Sequence, residues 1–512
     1  MIFVRSQIFC FIIQIIFAQN LTNSIIPLQN CLASIEVIYQ SSSSYSAAIS
    51  QNCETITVFT YPRTNEEVVT VINCAKQSGR TVTARSGGHS YESYSLSSDI
   101  IIDLIHFDQL TIHKANLSAT IGSGQWIGNV HWNLKQEKLL LPSGSCESVG
   151  IGGHAVSLIA DGIIEMTLVT PQGEIKTVNK DLEPELFWAL RGCGSGSFGI
   201  VTTFLMKVFP DEQGHSMVTY HFPSESAHRV LKQYSGHASL LPNNIHCLLY
   251  FEAVVGGVQA LLITINRIGT LEEHKKDPAI INFLKLFPTP ESTEEFFFTS
   301  QNDMIYEPEG KNRMEFLTNR NATHYSALEK TAGLLVDGEL SDLAIFQIIN
   351  GPWMQDPSLV GQPMFIIFEN MGGKISTPET ETCFIHRSPT LLSLELNFEW
   401  DAAFENEKRI DAINKWRHCV YQHTSQKVYN NYVWATADFA SYYGDNLNRL
   451  VDLKKRVDPD NIFKFAISIP TDMKDINRVT TARDYQCSTF HNLLPDGEIS
   501  SSAFSSSVPF KL

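Results

Sequence analysis

Apolar positions along this chain come in short runs, most of them four to eight residues long, interrupted by three glycine-rich segments. Thr57-Val58-Phe59-Thr60 is a β-type run that Pro62 stops. Thr64 then stands three residues before Glu67 in a capping-box pattern, and Val68, Val71, Ile72 and Ala75 follow at helical spacing until Gly79. Thr81 to Ala84 predicts the next strand, so the first glycine-rich segment leaves a strand-helix-strand unit. Ile100 to Leu104 and Leu117 to Gly122 predict further strands, Trp126 to Leu134 a helix, Pro184 to Leu190 another, and Ile200 to Val208 a strand. From about Pro210 glycine clusters thin out. Leu248 to Ala253, Ala260 to Ile265, Phe365 to Phe368 and Leu391 to Phe398 then predict a second domain, a sheet with helices against it.

The first interruption is Thr83-Ala84-Arg85-Ser86-Gly87-Gly88-His89-Ser90-Tyr91. Gly87 and Gly88 leave the main chain bare, so consecutive N–H groups can converge on an anion, and Arg85 supplies positive charge beside them. The second runs from Leu141-Pro142-Ser143-Gly144-Ser145-Cys146 to Gly152-Gly153-His154 and holds one cysteine in an open turn. The third, Gly192 to Gly199, contains a formal G-x-G-x-x-G at Gly194, Gly196 and Gly199. A helix precedes it and a strand follows, the reverse of the order a dinucleotide fingerprint needs, so NAD is not implied.

At 512 residues the chain is long enough for roughly two to four domains. Its formal net charge of −16 argues against nucleic acid and anionic membrane as partners, since both reward clustered positive charge. Residues 1–18 carry an apolar core from Ile8 to Ala18 and read as a signal peptide for export. Export gives meaning to the glycosylation triplets at Asn20, Asn116 and Asn321 and permits disulfides. Residues 19 to 52 are expected to be an irregular lead-in held by Cys31, and 476–512 a Ser-rich tail.

Three segments together, Arg85 to Tyr91, Pro142 to His154 and Leu186 to Thr202, resemble the berberine bridge enzyme-like family of flavoproteins in the vanillyl-alcohol oxidase superfamily. The run from Tyr443-Gly444 to Asn461-Ile462-Phe463 resembles that family's C-terminal signature. The resemblance implies an α+β fold: a vanillyl-alcohol oxidase-type FAD-binding domain with an inserted substrate domain of antiparallel sheet plus helices. The N-terminal part of the FAD domain would be residues 28–210, the inserted domain 211–428, and the return to the FAD domain 429–475.

The same resemblance implies FAD bound twice covalently, through His89 to the flavin 8α carbon and through Cys146 to flavin C6. An imidazole nitrogen and a thiolate are suited to attack an electrophilic ring. The rest of the cradle would be Arg85, Ser86, Gly87, Gly88 and Ser90 from the first segment. The second would give Val149, Gly150, Gly152, Gly153 and His154, the third Gly199, Ile200 and Val201, and Tyr432 would join them. Cys31 and Cys74 match a family disulfide. Tyr429 matches a proposed general base and Glu369 its acidic partner, with Glu395 a second candidate. A phenol is only about 0.1% ionised at neutral pH, so a group that helps to remove its proton is needed. Valine at 149 resembles the members that react with oxygen.

The expected function is a secreted, monomeric oxidase of an alcohol or sugar hydroxyl, with a small-molecule substrate and molecular oxygen as its partners. After Ala155 the chain departs from the family: about a dozen residues that would touch the flavin are missing. That departure supports a second reading, a flavin-fold protein impaired in catalysis that binds a glycan or other ligand. Zinc on His89, Cys146 and His154 matches no zinc spacing, and no metal is expected.

Overall fold

The computed structural model describes residues 28–39, 58–156, 158–193, 196–211, 214–254, 257–306, 328–350, 364–377, 381–389, 391–400, 406–434 and 437–478. The signal peptide, Asn20, Asn321, Gly194 and nearly all of the Ser-rich tail lie outside them. Three sheets carry the fold. The first joins β1 (Val37–Tyr39), β2 (Val58–Thr60), β3 (Val82–Arg85) and β4 (Ile100–Asp103) in the order β1-β2-β4-β3. β2 and β3 both lie parallel to β4, so a crossover is required between them, and α1 (Asn65–Gln77) makes it. Its buried stripe is the predicted Val68, Val71, Ile72 and Ala75, with Cys74. Thr64 caps α1 by accepting from the Glu67 N–H at 3.2 Å. Glu67, however, reaches the Arg63 N–H at 2.6 Å rather than the cap residue's own, so only half of the capping box forms.

Cys74 on α1 is bonded to Cys31, the pairing that the family resemblance implied. The described part of the lead-in is not irregular. Residues 28–31 form a helical turn, Leu28, Leu32 and Ile35 are buried, and β1 pairs antiparallel with β2. Apolar spacing and the disulfide together order it.

Next in the chain come β5 (Leu110–His113), β6 (Ser118–Gly122), the two-residue β7 (Leu139–Leu140), β8 (Ile163–Val169), β9 (Ile175–Asn179), β10 (Ile200–Lys207) and the two-residue β11 (Phe209–Pro210). An antiparallel sheet of order β5-β6-β10-β8-β9 results. It is accompanied by α2 (Ile127–Gln136), the one-turn α3 (Ile151–His154) and α4 (Pro184–Leu190). Asn116, the one described glycosylation candidate, is exposed.

The third sheet is built from β12 (His215–His221), β13 (Ile245–Val254), β14 (Gly257–Ile268), β15 (Ser292–Phe298), β16 (Leu328–Asp337), β17 (Met364–Asn370), β18 (Leu391–Trp400) and β19 (Lys427–Val428). Its order is β15-β12-β14-β13-β17-β18-β16-β19 with every pair antiparallel. On β18 the apolar Leu392, Leu394, Leu396 and Phe398 share one core with α5 (Ala227–His237), α6 (Asp342–Asn350) and α7 (Asn406–Tyr421). The alternate positions, Ser393, Glu395 and Asn397, point to the opposite face, as period-two geometry demands. Gly333 on β16 lies directly opposite Glu395 on that polar face, and a Cβ on Gly333 would come 2.5 Å from the Cβ of Tyr432. The polar face therefore looks toward the segment that follows β19.

After that segment, α8 (Leu447–Val457) carries the chain back to the first sheet. Ile462 accepts from the Val82 N–H at 3.0 Å, and Ile462 and Phe463 join the core of Val58, Val82 and Ile100. A second disulfide, Cys193 to Cys383, spans 190 residues and ties the third glycine-rich segment to the loop before β18. Among the described residues no helix is long and apolar enough to cross a membrane.

Candidate active site

The first two glycine-rich segments interlock backbone to backbone. A Cβ on Gly87 would sit 2.3 Å from the Gly150 nitrogen, and one on Gly150 would sit 2.2 Å from the Gly87 nitrogen. Such an approach is open only to glycine. Ser86 fastens the contact: its hydroxyl donates to Ser123 O at 2.5 Å and accepts from the Gly152 N–H at 3.2 Å. The consequence is one cavity whose wall includes His89 from the first turn and Cys146, Val149, Gly153 and His154 from the second. Ser90 lines it as well and caps the following turn through Tyr94 N–H at 3.0 Å.

Arg85 corrects the sequence reading. Its guanidinium is 2.5 Å from the carboxylate of Asp103, which is 1% exposed, and it takes no place in the cavity wall. The charge assigned to an incoming anion is thus already matched within the protein, because β3 and β4 place Arg85 and Asp103 side by side. Gly88, at φ +77°, packs against that same guanidinium.

Cys146 is exposed and belongs to neither disulfide described above. Two histidines brace its turn. His131, 1% exposed, lies 2.6 Å from Ser143 Oγ and 3.3 Å from Leu141 O, and His154 Nε2 accepts from the Gly144 N–H at 3.1 Å. Burial pushes both imidazoles down to a pKa of about 4, so both are neutral near pH 7. His89 Nε2 lies 2.8 Å from Ser148 Oγ. After Ala155 the chain enters β8 through a single 3-10 turn, Leu158–Gly162, without the longer excursion that the resemblance implied. His154 and Val156 still close the wall there.

The third segment contributes Gly199, Ile200 and Val201. Gly199, at φ +146°, lets the chain pass where a Cβ would lie 2.6 Å from Val169 O. Ser197 is held by the C-terminal return: its carbonyl accepts from Lys454 Nζ at 2.6 Å and its hydroxyl accepts from the Ile469 N–H at 3.2 Å. The fourth contributor is the segment after β19, fixed by Tyr429 N–H to Gly333 O at 2.8 Å and Gly333 N–H to Tyr432 O at 2.9 Å. Tyr429 and Tyr432 meet edge to face at 5.3 Å, and Tyr432 lies 6.2 Å from the ring of Tyr91. Both phenols line the cavity. Burial, followed by the charges of Glu395 and Glu369, raises the pKa of Tyr432 well above the phenol range. Neither acid is in the cavity wall. Glu395 is 7% exposed and stands across from Gly333, whereas Glu369 is on the next strand, β17, two residues along and opposite Ser393, partly exposed, with His246 Nε2 3.6 Å away.

Several wall residues escaped the sequence reading. Asn430 was visible only as the residue after Tyr429. Its amide donates to Gly192 O at 2.9 Å, while its buried Oδ1 finds no hydrogen-bond partner in the protein. Phe465 on the wall, and Ser148 outside it against His89, carried no separable signal, since the contact of each is made across the fold.

The residues fit FAD: bare glycine backbone for phosphates, an orphaned acceptor at Asn430 for a ring or ribityl donor, and an imidazole and a thiol on one wall. Known proteins agree. Residues 56–179 match the model of an FAD binding domain, and residues 428–470 match that described as berberine and berberine like. Berberine bridge enzyme-like 23 of Arabidopsis thaliana is 25% identical over 454 residues, covering 80% of this chain and 82% of that one. Reticuline oxidase of Eschscholzia californica is 25% identical, with coverage of 80% and 82%. The solved structure of BBE-like 1 from Physcomitrella patens superposes with a TM-score of 0.76 at 26% identity, covering 87% of this chain and 99% of that one. With an FAD-binding match at one end of the site, a berberine-like match at the other, and that superposition between them, the chain is similar over about four-fifths of its length to the berberine bridge enzyme-like family of FAD-linked oxidases.

Proposed function

We propose that this is an exported oxidase that holds FAD covalently through His89 and Cys146 and oxidises the hydroxyl of an alcohol or sugar, an oligosaccharide or related small molecule. The observation that carries this reading is the single cavity on whose wall His89, Cys146 and Tyr429 all stand. FAD, when bound, supplies a two-electron acceptor that takes hydride at N5 and passes the electrons to oxygen, giving hydrogen peroxide. The protein's own part is acid–base work and positioning. Tyr429 takes the proton of the substrate hydroxyl at its phenolic oxygen, and Glu395 and Glu369 on the polar sheet face share the task of making that oxygen basic. Tyr432, its proton held by burial, acts as a hydrogen-bond donor and not as a base.

The test is a purified chain from a flavin-sufficient host. Its yellow colour is expected to survive acid precipitation, and it should consume oxygen and release peroxide with at least one member of a panel of sugars and alcohols. Colourless protein would sink the reading.

A further inference from the structure

We infer that Ser148 is a positioning residue for flavin attachment: it holds Nε2 of His89, so that Nδ1 is the nitrogen that forms the bond. The inference rests on the proposed covalent tether at His89. Ser148 Oγ is 2.8 Å from His89 Nε2, and Ser148 stands behind the imidazole, outside the cavity wall to which His89 belongs. Its backbone is fixed from two sides. The N–H groups of Ile127 and Gly128, at the start of α2, donate to Val149 O and Glu147 O, both at 2.9 Å. On the other side the Ser148 carbonyl is 2.8 Å from where a Cβ on Gly87 would be. The turn that carries Cys146 thus also anchors the ring of His89.

Attachment forms one bond, from Nδ1 to the flavin 8α carbon. One proton leaves the 8α methyl group, one leaves the imidazole, and two electrons remain in the flavin ring. Molecular oxygen, the acceptor of the oxidase reaction, takes those two electrons and two protons as hydrogen peroxide. As Nδ1 gives up its lone pair, positive charge grows on the imidazole and its Nε2–H becomes a stronger donor. The bond to Ser148 Oγ therefore strengthens on the way to the transition state, which is the condition for it to speed the step. It also fixes the ring plane before attack.

The test uses the full chain with Cys146→Ala, which leaves His89 as the only tether. Protein made under riboflavin limitation is incubated with FAD, acid-stable flavin is followed in time, and the modified peptide is mapped. Ser148→Ala in that background should slow attachment by at least about tenfold while FAD affinity changes little, and Ser148→Thr should recover most of the rate. Ser148→Val against Ser148→Thr repeats the comparison at constant side-chain shape if the alanine chain does not fold. An unchanged rate in the alanine or valine chain overturns the inference, as does a threonine chain as slow as valine. No acid-stable flavin in Cys146→Ala itself would instead refute the tether at His89, and the role of Ser148 with it.

Discussion

Tyr429 and Glu395 are 34 residues apart in sequence, yet Gly333 brings them within one strand of each other, paired to Glu395 on one side and hydrogen-bonded to Tyr429 on the other. The family resemblance nominated Glu369 first. Register and burial favour Glu395, which stands opposite Gly333 and is 7% exposed. Tyr429→Phe is expected to lower kcat by about 10²- to 10⁴-fold with little change in KM, the signature of a lost proton acceptor. Glu395→Gln should lower kcat more than Glu369→Gln does. Steady-state oxygen uptake on all three variants checks both statements, and a larger loss for Glu369→Gln would restore the first nomination.

At the scale of elements, the C-terminal signature has a physical reason. Lys454 and Asp458, 0% and 1% exposed, pair at 2.7 Å one turn apart at the end of α8. Lys454 also donates to Ser197 O and Phe463 O, and Asp458 accepts from the N–H groups of Ile462 and Phe463. Every charge in this buried knot is answered, so removing one partner leaves the other stranded. Lys454→Met should cost about 3–5 kcal/mol, and adding Asp458→Asn should recover part of it, as read from thermal melting.

Buried neutral histidines give a second expectation at this scale. His131, His274 and His386 have pKa values lowered to about 4 from 6.5, in each case mainly by burial. The unfolded chain therefore binds more protons than the folded one below about pH 6.5. The stability they contribute is complete above that pH and is lost as pH falls through about 4. Melting temperature should fall steadily from pH 6.5 to 4, and His131→Asn should make the slope shallower. An unchanged slope would remove His131 from the account.

Across the whole molecule, one short segment before β18 clasps the third sheet to the flavin side. Cys383 is bonded to Cys193 and its N–H donates to Arg191 O at 2.9 Å, while Arg387 grips Asp161 with contacts of 2.8 and 2.9 Å. Glycine again makes the room, since a Cβ on Gly192 would lie 2.6 Å from the Phe384 nitrogen. Phe384 in turn meets Tyr429 edge to face at 6.4 Å. The short connection after Ala155 contains Asp161, so this chain uses that stretch for the clasp. Replacing both Cys193 and Cys383 by serine should cost about 2–5 kcal/mol and lower the melting temperature of the full chain. A melting curve unchanged under oxidising conditions would deny the disulfide a stabilising role.

Local pattern determined much of this protein. Helical spacing gave α1 its buried stripe, and the apolar runs became β2, β4, β10 and four strands of the third sheet, β13, β14, β17 and β18. The glycine segments were visible as places where backbone is left bare, because a missing side chain is a property of sequence. What they approach is not. That Gly87 meets Gly150, that Arg85 is consumed by Asp103, that Ser148 holds His89 and that Glu395 lies opposite Gly333 are contacts between residues 18 to 63 positions apart in the chain. They depend on strand order and register, which no local periodicity encodes, so only the tertiary structure decided them.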